Sequence, residues 1–113
     1  MGNEYKVKLT TQAFEQLSDA KQYITDTLLE PEIALNWLNH MQSEMSKLST
    51  MPARFPLTDE EPWRSRGIHK MTVKNYLVYY YIDEEKSAVW ITGVIYARRD
   101  QLKQLQNMEF DEL

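Results

Sequence analysis

The chain has 113 residues, 42% of them hydrophobic and 12% aromatic, enough for one folded domain with a modest core. It has no cysteine, which excludes a disulfide framework and thiolate chemistry. The net charge is −4, yet residues 62–103 hold eight basic side chains against four acidic ones, a cue to an anionic partner for that region alone.

Residues 5–9, YKVKL, alternate apolar and basic side chains and predict a first strand. Thr10 or Thr11 can cap a helix over about residues 11–29, because Ala13, Leu17, Ala20, Ile24 and Leu28 recur at spacings that make one apolar stripe. Glu30-Pro31 interrupts the chain, and proline suits the first turn of a second helix. Ala34, Trp37, Leu38, Met41, Met45 and Leu48 form its stripe, which ends at Met51-Pro52. So short a connection predicts an antiparallel helical hairpin.

Residues 51–62 hold three prolines beside Asp59-Glu60-Glu61 and read as a surface loop between helical and β halves. From Arg66 the period becomes two. Residues 68–73, 76–82 and 88–96, separated by Lys74-Asn75 and by the DEEKS turn, predict an antiparallel meander. Residues 101–113 can form a short helix before an acidic, frayed end. One domain over 1–113 is expected, with its core at about 5–105 and a frayed tail at 106–113.

Strict alternation assigns faces. In the last strand, Val89, Ile91 and Ile95 fall under the helices, with Gly93 allowing close approach. Trp90, Thr92, Val94, Tyr96 and Arg98 fall on the other face. In the first meander strand Met71 and Val73 are core residues, which turns Arg66, Lys70 and Thr72 outward. Tyr76 and Tyr80 share one side, Tyr79 and Tyr81 the other, so at least half of them are packing residues. Basic and aromatic groups would then meet on a sheet face that the helices leave bare. There, arginine and lysine can neutralise phosphate while aromatic rings stack bases.

Other chemistries find little support. Two histidines, His40 and His69, give no metal-ligand spacing, and the three scattered glycines make no phosphate loop. No cofactor is expected. No basic flank precedes an apolar run and no segment reaches the ~20 apolar residues of a membrane span, so no membrane partner and a cytoplasmic location are expected.

The order of elements, together with YKVKLTTQAFEQL, RGIHKMTVKNYLVYYYI and VIYARRD, resembles the RelE/ParE superfamily of bacterial toxins over roughly residues 5–105. The resemblance implies an α+β fold: an N-terminal strand and an α-helical hairpin packed on one face of a mainly antiparallel β-sheet. It also implies a toxin that arrests growth and is held silent by a cognate antitoxin. The target differs between branches. ParE-like members poison DNA gyrase; RelE-like members are endoribonucleases that cleave mRNA on the ribosome. Of the two basic residues alternating on the first meander strand of RelE-like nucleases, this chain keeps Lys70 and has Ile68 at the other position. The ParE-like reading therefore leads, with Arg64, Trp90, Arg98 and Arg99 as target-binding residues. In the nuclease alternative, Arg66, Lys70 and Arg98 would stabilise the phosphate, with His69 or Tyr96 as general acid or base. A further alternative is an inactive adaptor that only binds an antitoxin.

Overall fold

A computed structural model of the chain describes residues 4–98 and 101–109. Strand β1 (Lys6–Leu9) leads into helix α1 (Thr11–Leu28), capped by the Thr10 hydroxyl, which accepts from Ala13 N at 3.2 Å. Such a cap is worth about 1 kcal/mol. Leu29, in the left-handed region, ends α1; Pro31 opens α2 (Pro31–Ser46), which tightens into a 3₁₀ turn over Lys47–Ser49. The predicted hairpin is present. Among the described residues no helix is long and apolar enough to cross a membrane.

Strands β2 (Ile68–Val73), β3 (Tyr76–Asp83) and β4 (Ala88–Tyr96) form the predicted meander, and the sheet order is β1-β4-β3-β2. Only the β1–β4 pair is parallel. Lys74 and Asn75 both have positive φ, 50° and 67°, as a two-residue hairpin turn requires. The fold is thus α+β, with the hairpin on one side of a mainly antiparallel sheet.

Strict alternation along β4 fails at one residue. Tyr79 pairs with Gly93, but the next residue, Tyr80, pairs with Ile91, which leaves Thr92 as the extra residue of a bulge. Val89 and Ile91 face the helices as expected. Beyond Thr92 the phase inverts: Val94 joins them in the hairpin-side core, whereas Ile95 joins the core on the opposite side. Ile95 and Val94 therefore exchange the faces that an unbroken period of two assigns them.

The opposite side is not bare either, contrary to expectation. Trp63, from the proline-rich connection, packs there with Ile68, Leu77, Tyr79 and Ile95. Leu105, in helix α3 (Gln101–Gln106), and Met108 join the same cluster. A Cβ on Gly93 would come within 3.4 Å of Met108 Cε, so the glycine does admit close approach, but of the C-terminal segment. Residues 101–109 are held at the sheet margin by Gln12, whose Nε2 donates to Asn107 O at 2.7 Å and whose Oε1 accepts from Glu109 N at 2.8 Å. Part of the segment expected to fray, residues 106–109, is thus anchored; residues 110–113 lie outside the described residues. The reason for the second core is composition: Ile68, Leu77, Tyr79 and Ile95 make the side away from the hairpin apolar, as Met71, Val73, Val78 and Ile91 do the hairpin side, and such a sheet needs cover on both.

Candidate functional site

Lys70 projects from β2 on the side away from the hairpin, as expected, in register with Tyr79 of β3. Its ammonium lies 3.9 Å from the Glu60 carboxylate, and both side chains are largely withdrawn from solvent. The Thr58 hydroxyl donates to the same carboxylate. Arg64 stands 3.7 Å from Asp59 and donates to Thr58 O at 3.3 Å. The acidic run of the connection thus folds back onto two of the cations that composition had assigned to an outside anion.

Tyr79 and Tyr80 are fully buried on opposite sides of β3. Burial pushes both phenols up to about 12. Tyr80 donates to Pro52 O at 2.6 Å, whereas the Tyr79 hydroxyl has no hydrogen-bond partner among the described residues.

His69 and Tyr96 stand on the other side of the sheet from Lys70. The His69 ring stacks on Tyr80 at 5.1 Å, and its Nδ1 donates to Phe55 O at 2.7 Å, which fixes the ring beside the hairpin-side core. Tyr96 is 5.3 Å from Tyr76, which in turn lies 5.0 Å from Trp37 of α2. For Tyr96 this corrects the expected face, and the Thr92 bulge is the cause.

Trp90 does lie on the side away from the helices, aligned between Lys8 of β1 and Tyr81 of β3. The Lys8 ammonium sits 5.3 Å from the centre of its ring. Arg66 is exposed in the turn before β2, and Arg98 is exposed in the turn after β4. Arg99 lies outside the described residues. The sequence candidates thus fall into separate groups: Lys70 and Arg64 with the acidic loop, His69 and Tyr96 on the hairpin side, Trp90 beneath Lys8, and Arg98 at the end of β4.

A family description, "ParE toxin of type II toxin-antitoxin system, parDE", matches residues 7–101. The chain belongs to the ParE toxin family. Among solved structures it is similar to a chain of the chromosomal ParDE toxin–antitoxin system from P. aeruginosa, with a TM-score of 0.69 and 15% identity over 85% of this chain and 99% of that one. It is also similar to a chain of the toxin–antitoxin complex RelBE2 from Mycobacterium tuberculosis, with a TM-score of 0.55 and 26% identity over 82% and 91%. No curated protein matches significantly in sequence. The ParE family assignment accounts for the strand, hairpin and meander, and the two structures share that architecture.

Sequence reasoning missed Glu60, Trp63, Lys8 and Gln12. A signal existed for two of them. A tryptophan among prolines and acidic residues is a poor loop residue unless it docks, and the alternation in YKVKL puts Lys6 and Lys8 on one face. Gln12 gives no such signal, because its role depends on where the C-terminal segment returns.

Proposed function

We propose that the chain is the toxin of a toxin–antitoxin pair, silenced by a cognate antitoxin, and that it arrests growth by binding DNA gyrase and not by cleaving RNA. Arg98, Arg99 and the segment from residue 101 onward form the contact region in this reading, with Arg64 and Trp90 as further contacts. One observation carries the choice of target class. A nuclease that uses a 2′-hydroxyl must bring its proton-transfer group and its cation to one phosphate. Here His69 and Tyr96 lie on one side of the sheet, while Lys70 lies on the other and is already paired with Glu60. Membership of the ParE toxin family supports the same branch.

Induction of the chain alone, and together with the product of the adjacent reading frame, tests the toxin and antitoxin parts. Growth arrest relieved by co-expression is expected. Unimpaired growth would support the adaptor alternative. Isolated protein should inhibit gyrase supercoiling at micromolar concentration; new mRNA 5′ ends on translating ribosomes would instead support the endoribonuclease.

A further inference from the structure

The hairpin does not cover all of its own side of the sheet. An open cleft of about 660 Å³ lies between α1, the start of α2 and the sheet end made by the Lys74-Asn75 turn and the close of β4. Gln16 fixes one margin, since its Oε1 accepts from Val94 N at 2.8 Å and so holds α1 over β4. The lining is aromatic. Trp37, Tyr76 and Tyr96 form a tilted ladder at 5.0 and 5.3 Å, each ring half-buried. Tyr23 of α1 stands at the rim, 64% exposed.

Two cations stand at the same end of the sheet. Lys74 lines the cleft from the turn. Ala97 N donates to Asn75 O at 2.9 Å, which sets the next residue, Arg98, beside that turn. Both cations are exposed, and neither has an ion-pair partner among the described residues, whereas Lys70 and Arg64 are engaged by Glu60 and Asp59. The α1 wall carries the opposite sign, in the exposed carboxylate of Asp19. An apolar guest would leave the cations unused, and a simple anion would leave the rings unused. A base joined to a phosphate uses both, because bases stack on aromatic faces and the backbone meets lysine and arginine. Asp19 adds a preference: a carboxylate accepts from the amino group of cytosine, where thymine presents an acceptor oxygen.

We propose that this cleft binds single-stranded DNA. One base stacks against Tyr23 and Tyr96, the adjoining phosphates meet Lys74 and Arg98, and Asp19 selects cytosine over thymine. The choice of DNA over RNA rests on the gyrase reading; the base-and-phosphate chemistry does not.

The test is titration of the isolated full chain, without gyrase, with oligo(dC), oligo(dT) and oligo(rC) of about eight nucleotides, followed by backbone amide spectra. Expected are shifts centred on Tyr23, Asn75 and Tyr96, and a Kd for oligo(dC) below ~100 μM. Two phosphate contacts give a slope of log affinity against log salt of about −1.4. Tyr23→Ala and Lys74→Gln should each weaken binding at least fivefold, with amide spectra elsewhere unchanged to show that both variants are folded. Asp19→Asn should abolish the preference for oligo(dC) over oligo(dT). Any of four results would overturn the proposal: no response of these amides at ~1 mM oligonucleotide, undiminished affinity in both weakened variants, tighter binding of oligo(rC) than of oligo(dC), or a response only to an amphipathic leucine–lysine helical peptide or to protein concentration alone, which would assign the cleft to a protein helix or to a second copy. A chain that inhibits supercoiling yet ignores the oligonucleotides would overturn this inference and leave the gyrase reading standing.

Discussion

The ring of Tyr96 lies 5.3 Å from that of Tyr76, on the side of the sheet that the helices cover. Strict alternation from Ile91 would place Tyr96 on the other side; Thr92, an extra residue in β4 held by a hydrogen bond from its hydroxyl to Tyr79 O at 3.3 Å, shifts the count by one. Deleting Thr92 would place Gly93 directly after Ile91 and close the ladder without a bulge, leaving Val94 and Tyr96 on the hairpin side, opposite Val78 and Tyr76 as before. The expected cost is only about 1 kcal/mol, from the lost hydroxyl hydrogen bond to Tyr79 O, read from the midpoint of denaturant unfolding. A loss of about 3 kcal/mol or more would show that the faces had inverted instead.

Tyr79 and Tyr80 provide a matched comparison, since both are fully buried. Tyr80→Phe removes the donor to Pro52 O and should cost about 1 kcal/mol. Tyr79→Phe removes a buried hydroxyl that has no hydrogen-bond partner among the described residues, and its stability should equal or exceed that of the natural chain. Denaturant unfolding of the two variants side by side decides the order.

Alkaline pH acts on the same pair. A phenol is charged when deprotonated, and burial disfavours that form, so each folded pKa of about 12 lies above the ordinary value of 10.0. The resulting stabilisation is whole below the unfolded pKa and is lost as pH rises from there through the folded one. Tyrosinate absorbance followed against pH should show a late phase near 12 that coincides with loss of structure. The phase should vanish in the Tyr79→Phe/Tyr80→Phe double variant, and its survival there would assign it elsewhere.

The second core can be separated from the charges beside it. Trp63→Ala should destabilise by about 3 kcal/mol, because it uncovers Ile68, Leu77 and Tyr79. Lys70→Met should change stability by less than about 1 kcal/mol, since its pairing with Glu60 is long and partly solvated. Calorimetric midpoints of the two variants should therefore differ widely. Similar losses would contradict the packing account.

The elements were legible in the sequence because their signals are local. Thr10, Pro31 and the Lys74-Asn75 turn each mark a boundary with nearby residues, and the stripe from Ala13 to Ala20 shows which side of α1 is buried. What was not legible depends on distant partners. Nothing adjacent to Thr92 announces a bulge, so Val94, Ile95 and Tyr96 were assigned to the wrong faces. Cover by Trp63, Leu105 and Met108 requires two remote segments to return to the same side of the sheet. The candidate site fared worse than the fold for the same reason. The basic excess of residues 62–103 is real, but Glu60 and Asp59 come from the preceding acidic stretch and lie against Lys70 and Arg64.

Target binding and RNA cleavage also differ in which residues they need. His69→Ala should leave growth arrest intact, because the ring is engaged with Tyr80 and Phe55 O inside the structure. Arg98→Glu should reduce arrest at least tenfold in the dose required, while leaving the unfolding midpoint unchanged, since Arg98 is exposed. Growth curves under graded induction give both values, and the opposite pattern would move the activity to the sheet.

Gyrase supercoiling assayed with the isolated chain, beside 5′-end mapping of mRNA on translating ribosomes, tests the central claim most directly. The account predicts inhibited supercoiling at micromolar protein with intact mRNA. Unaffected supercoiling together with new mRNA ends would contradict it.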